Sequence, residues 1–327
     1  MKLKMFYLVL LLLISINTGC KNSSNPDDYN LPLPALKDSI PYGSLGQGKI
    51  VFERIGPLSN NYDGGYVIDI NNHKSWGVHN GVFDGPSISP DGKLVAFAQY
   101  TPPPANSLWD IYSVNIDGSN LQQITSIIAQ EHCPSWSKNG DYIYDRATEQ
   151  LEQLYKTALS SHISTLVFST MNMESPASVA LDGRILFSDY NNIIVWQNNS
   201  LSTIKSDSIQ SINLYSPCYN PQGDKIAYIE ATTDTLTFNY KIIKVIKMDS
   251  DGNNSITLVE LNMDANYNWE GSNNTSLCWS PDGTKIAFNK PESYLCAHIY
   301  VINSDGTNLV QVTSAEGVTD RSVSWGN

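Results

Sequence analysis

Along most of the chain, apolar and polar positions alternate in short runs, and clusters of Gly, Asp, Asn, Pro and Ser separate the runs. A period of two with such punctuation predicts strands and turns rather than helices. The punctuation itself recurs. Ser89-Pro90-Asp91-Gly92 and Ser280-Pro281-Asp282-Gly283 are identical, with weaker copies at Ser137-Lys138-Asn139-Gly140, Ala180-Leu181-Asp182-Gly183 and Asn220-Pro221-Gln222-Gly223. Pro presets φ, Asp bonds back to the backbone and Gly accepts positive φ, so each copy predicts a tight turn.

The flanks of these turns repeat as well. A large residue precedes each Gly by four positions (Ile88, Trp136, Val179, Tyr219, Trp279), and a small one comes just before it (Ser87, Ser135, Ser178, Cys218, Cys278). Runs such as Leu94-Val95-Ala96-Phe97 and Lys285-Ile286-Ala287-Phe288 follow as second strands. Ile111 to Ile116 and Ile299 to Asn303 read as third strands, and Leu121 to Thr125 and Leu309 to Thr313 as fourth strands. The unit of four antiparallel strands returns at Gly92, Gly140, Gly183, Gly223 and Gly283, with spacings of 48, 43, 40 and 60 residues. Such a period predicts a β-propeller. Ile50-Val51-Phe52 supplies the second strand of a sixth unit whose first strand is missing, and Ser322-Val323-Ser324-Trp325 supplies that strand at the other end. The expectation is an all-β, six-bladed ring of four-stranded blades over residues 48–327, closed by the C-terminal strand.

Trp-Ser-Pro-Asp-Gly followed by Lys-Ile-Ala-Phe, then Asp-Gly-Thr-Asn-Leu and Gln-Val-Thr, resembles the repeat of TolB-type propellers. Two units match closely and the rest loosely. The resemblance implies the fold and a cell-envelope setting. TolB itself carries an α/β domain ahead of its propeller, where this chain offers a tether, so a TolB role is not carried over. Prolyl oligopeptidases join a propeller to a hydrolase domain that has no counterpart here.

The N-terminus sets the compartment. Lys2 and Lys4, an apolar run from Met5 to Ile16 and Asn17-Thr18-Gly19-Cys20 form the three-part layout of a secretory signal. Gly19-Cys20 resembles a lipobox, although Asn17 stands where Leu is usual. Residues 1–19 are expected to be removed, Cys20 to be lipidated, and residues 20–47 to form a tether. The alternatives are an ordinary cleaved signal and a retained membrane segment. Removing Lys2 and Lys4 leaves 18 basic against 32 acidic residues, a charge of −14. Such a surface excludes nucleic acid as a ligand class.

Other motifs weigh little. Gly43 to Lys49 approaches a phosphate loop but continues with Ile50 and enters a strand. Asp249-Ser250-Asp251-Gly252-Asn253 has the outline of a calcium loop without its closing Glu, and a hairpin turn explains it. No cofactor is expected, with calcium the one cation considered. His73, His79, His132, His162 and His298 show no metal-ligand spacing, and no Gly-x-Ser-x-Gly or His-Glu-x-x-His occurs. Cys133, Cys218, Cys278 and Cys296 leave a disulfide open, while Cys218 and Cys278 hold the small position of the innermost strand.

Length variation falls on one face of the ring, at residues 101–107, 231–239, 262–275 and 290–296. Binding residues are expected on such loops: Phe238, Tyr240, Tyr267, Trp269, Glu270, Glu292 and Tyr294. Nine residues before the turn Gly, Glu131 and Glu174, with Asp320 equivalent in the closing strand, place carboxylates by the channel mouth, as a ligand cluster or a solvated rim. The expected function is a monomeric binding or scaffolding propeller, lipid-anchored in a bacterial envelope, that engages a protein, peptide or glycan. The alternative is a polysaccharide lyase or glycoside hydrolase acting at the channel mouth.

Overall fold

The computed structural model describes residues 33–56, 63–101, 108–148, 151–173, 175–207, 209, 211–233, 240–263, 276–293 and 296–327. Among the described residues the protein is all-β apart from one short helix, Tyr42–Leu45. Among the described residues no helix is long and apolar enough to cross a membrane. Four separate sheets each hold four antiparallel strands in chain order: Asp84–Ile88 to Gln122–Gln123, Gln130–Trp136 to Ile163–Thr170, Ser178–Val179 to Ser200–Ser206, and Ile212–Tyr219 to Ile256–Asn262. An eight-stranded sheet contains two further runs of four. One holds Leu277–Trp279, Lys285–Ser293, Cys296–Asn303 and Val310–Gln311, and the other Thr319–Gly326, Lys49–Ile55, Gly64–Asp69 and Lys74–Asn80. Their shared edge is the single parallel pair Ala297 and Thr319.

The C-terminal strand pairs antiparallel with Lys49–Ile55, so the first and last described strands meet in one sheet, as the Ser324-Trp325 match anticipates. Two fourth strands are shorter than expected: Gln122–Gln123 and Val310–Gln311 each pair with only two residues of their partners, whereas Ile163–Thr170, Ser200–Ser206 and Ile256–Asn262 are full length.

The period of two explains the packing. In Leu94–Tyr100, Val95 and Phe97 pack toward the N-terminal unit, while Ala96 and Ala98 pack toward the next sheet and Trp136. Ile286 and Phe288 likewise face the preceding unit, and Ala287 faces the following one. A large residue on one face and Ala on the other lets consecutive sheets stack closely on both sides.

The turn motif also has a physical basis. Ser89 Oγ accepts the N–H of Leu94 (2.9 Å) and Ser280 Oγ that of Lys285 (2.9 Å). Asp91 and Asp282 take the next N–H of their turns at 3.1 and 3.0 Å. Gly92 and Gly283 have φ of 68° and 73°, a region costly for residues with a Cβ.

The expected tether is corrected from residue 33 onward; residues 20–32 lie outside the described ones. Leu33, Leu36, Ile40, Tyr42 and Leu45 pack on the cluster that joins the two runs of the eight-stranded sheet. A Cβ on Gly77 would sit 2.4 Å from the Leu33 side chain, so the sheet is notched to receive this strap. Asp38 fixes it by accepting the N–H groups of Ser314 (2.6 Å) and Ala315 (2.9 Å).

Candidate binding channel

The first strands of the units surround a cavity of about 410 Å³. Its wall comes from two positions per strand, such as Gly85 and Ser87, Cys133 and Ser135, Ser216 and Cys218, and Ser322 and Ser324. A repeated bulge aims them. Gly85, Cys133, Ser216 and Ser322 have φ of 59°, 54°, 48° and 55°, each where the ladder slips register. A bulge bends a strand and re-aims its side chains.

The small wall residues do structural work. Ser324 Oγ accepts the N–H of Ile88 (3.1 Å), Ser178 Oγ that of Tyr219 (3.0 Å) and Ser276 Oγ that of Val323 (2.7 Å), each across to another unit. Trp136 and Trp279 donate their indole N–H to the carbonyls of Ser87 (2.8 Å) and Cys218 (3.2 Å). The cysteines Cys133, Cys218, Cys278 and Cys296 are free thiols. Burial pushes the Cys218 thiol up to about 12, and burial followed by the nearby Cys218 raises Cys278. Both are poor nucleophiles in this state.

At the end of the channel where first strands begin, His132 Nδ1 lies 3.3 Å from Asp84 Oδ2, and its ring packs 5.2 Å from that of Trp109. Alongside, Arg321 donates to Glu53 through Nε (2.7 Å) and Nη2 (3.2 Å). Burial pushes Glu53 up to about 7 against the pull of Arg321, and the negative charges of Asp84 and Asp63 add to the rise. Asp84, His132 and Arg321 hold one repeat position, directly after the Phe83, Glu131 and Asp320 position; Asp84 lines the cavity, and His132 and Arg321 lie beside it on neighbouring first strands. Sequence comparison missed it because the three residues share no chemistry. Aligning the copies on the turn Gly, and the closing strand on Trp325 against Trp136, would have found it.

The carboxylates expected at the rim are elsewhere. Asp320 and Glu131 are fully buried and line no part of the cavity, which corrects both the rim and the cluster expected from sequence. Arg54 donates to Asp320 through Nε (2.6 Å) and Nη2 (2.9 Å), and to Asp38 through Nη1 (2.9 Å). One guanidinium on the second strand thus ties together a carboxylate of the strap and a carboxylate of the closing strand. Glu131 accepts from Thr125 Oγ1 and faces the buried Asp145. Burial raises both carboxyls, and the charge of Asp145 raises Glu131 further, so the pair keeps a proton. Glu292, at the end of strand Lys285–Ser293, accepts from Lys290 Nζ (3.0 Å) and from the Tyr300 hydroxyl. Tyr240 begins the strand Tyr240–Asp249. Phe238, Tyr267, Trp269, Glu270, Tyr294, Glu174 and Cys20 lie outside the described residues. In the segment with the outline of a calcium loop, Asp249 accepts from Lys225 and Asn254, as the hairpin turn expected there allows.

The architecture has known relatives. TolB from Acinetobacter baumannii superposes with a TM-score of 0.69 at 18% identity, over 85% of this chain. The fold is that of a TolB-like β-propeller. This chain spans 66% of that TolB chain's length. Oligogalacturonate lyase in complex with manganese superposes with a TM-score of 0.53 at 10% identity, over 88% of this chain and 85% of the lyase. No family model matches. An uncharacterized protein of Agrobacterium fabrum (strain C58) is 24% identical over 207 residues, 62% of this chain and 67% of that protein. The TolB-like propeller carries the resemblance seen in the repeat; at these identities the likeness speaks for fold and not for activity.

Proposed function

We propose that this TolB-like propeller is a six-bladed, lipid-anchored binding module of a bacterial envelope, monomeric, engaging a protein, peptide or glycan at its long-loop face. Each run of the eight-stranded sheet counts as one blade, and the six apolar clusters among the described residues, each between consecutive units, support that count. The observation that carries the binding role is the channel lined at one end by Asp84, with His132 against Asp84 and the Arg321–Glu53 pair nearby, on the side where the long loops leave the ring. A rigid scaffold with paired charges at a concave mouth recognises a polar partner without supplying an activated nucleophile. Cys20 supplies the anchor and Tyr267, Trp269 and Glu270 the contact loop.

The test is affinity capture from a detergent-solubilised envelope. A stoichiometric partner that is lost on Tyr267→Ala with Trp269→Ala, at unchanged thermal stability, is expected. Retained capture with lost stability would move the binding face elsewhere. Cys20→Ser is expected to release the protein from the membrane fraction, and continued membrane attachment would refute the lipid anchor.

The lyase reading rests on the His132–Asp84 pair beside Arg321, since an imidazole and a guanidinium suit an acidic sugar, and on the fold shared with oligogalacturonate lyase. Release of unsaturated product from oligogalacturonate, abolished by His132→Ala, would favour it over the binding module.

A further inference from the structure

The opposite mouth of the channel is built from the tight turns. Pro90, Leu181, Pro221 and Pro281 line it at the second position of their turns, and at the equivalent position stands Lys138. Its side chain is half-buried in the wall and interacts electrostatically with the Cys218 thiol. Among the described residues no carboxylate pairs with it. Of the acidic groups that line the cavity, the Asp84 side chain sits at the other end with His132, and the terminal carboxylate of Asn327 is taken by Lys49 Nζ at 2.8 Å. Three residues before Lys138, the Ser135 hydroxyl lines the same cavity, is buried, and has no hydrogen-bond partner among the described residues.

A cation stripped of part of its hydration and an unspent hydroxyl therefore line one concave mouth, beside prolines and tryptophans. Burial holds the Lys138 ammonium below its usual range, the mark of a charge whose water has been removed and not replaced. An anion would replace it. The ligand's charge follows from the donors. One ammonium is a single point charge, and one hydroxyl adds one further bond, which matches a monoanion and leaves a phosphate dianion short of donors. The surrounding Trp136, Trp279 and prolines offer an apolar wall. We propose that the turn-side mouth binds a small organic monocarboxylate, its carboxylate on Lys138 Nζ and the Ser135 hydroxyl and its apolar body against Trp136.

The test uses the full chain in detergent, titrated with sodium benzoate by calorimetry, with acetate and inorganic phosphate as parallel arms. Saturable benzoate binding is expected, weakened at least roughly tenfold in Lys138→Met, severalfold in Ser135→Ala, and within a few-fold of the original in Lys138→Arg. Lack of saturable binding, or equal binding by Lys138→Met, would overturn the proposal. Acetate binding as tightly as benzoate would remove the apolar body from it, and tighter phosphate binding would overturn the ligand class. If Lys138→Met fails to fold, the NMR resonance of isotope-labelled Lys138 in the unaltered protein decides: it is expected to shift with benzoate, and an unmoved signal refutes the site.

Discussion

Arg54 ties the strap, the second strand and the closing strand through one side chain, and replacing it by Met tests how far they depend on it. The substitution keeps an unbranched side chain of similar reach while removing the charge. It deletes two hydrogen bonds to Asp320 and one to Asp38. Asp38 keeps the Ser314 and Ala315 N–H groups, whereas Asp320, with a fully buried side chain, is left with His298 Nδ1 at 3.7 Å. Removing one partner of a buried pair costs about 3–5 kcal/mol, because the other charge stays desolvated. For a chain of this size that corresponds to a fall in Tm of roughly 10 °C. Calorimetry on Arg54→Met, Asp320→Leu and the double variant completes the test. Both single variants should lose stability and the double variant should recover most of it, since an apolar pair of similar volume replaces a buried ion pair at little cost. The loss should be insensitive to added salt. A Tm within about 2 °C of the original for Arg54→Met, or a double variant as unstable as the sum of the singles, would refute the argument.

Glu131→Gln tests the shared proton. Both carboxyls of the pair have folded-state pKa values raised above their unfolded values near about 4, so their contribution is fully present in acid and is lost as pH rises through neutral. The variant should gain stability relative to the original protein between about pH 5 and about pH 9, and a pH-independent difference in Tm would show that the pair is not protonated. Deleting Arg321 to Asn327 removes the buried Val323 and Trp325 and the Arg321 bonds to Glu53, so it should cost several kcal/mol, about the scale of one lost buried aromatic or more; an unchanged Tm would refute closure by this strand.

The turns, the alternation of large and small residues and the meeting of the chain ends were legible because each is repeated, and repetition exposes a physical requirement. Ser89 and Ser280 are alike because both bond the same N–H. The channel mouth was hidden because Asp84, His132 and Arg321 occupy one structural position with three chemistries. The strap was hidden for another reason. Leu33, Leu36, Ile40, Tyr42 and Leu45 fill a groove made by distant strands, so their spacing follows that groove and no helix or strand period. Glu131 and Asp320 read as rim residues because charge predicts exposure, whereas the groups that set their state, Asp145 sharing a proton with Glu131 and Arg54 pairing with Asp320, lie on other strands, 266 residues away for Arg54 and Asp320.

The seam between Lys49–Ile55 and Thr319–Gly326 carries two adjacent register pairs of opposite polarity, Glu53 with Arg321 and Arg54 with Asp320. Sliding the closing strand by one residue in one direction sets Glu53 against Asp320, and sliding it in the other sets Arg54 against Arg321. Either misalignment buries like charges, so the ladder accepts a single phase and rejects its neighbours. The same lock is indifferent to which molecule supplies the strand. At high concentration the closing strand of one copy fits the open unit of another as faithfully as its own, so strand exchange between copies would give correctly phased, swapped assemblies instead of amorphous aggregates.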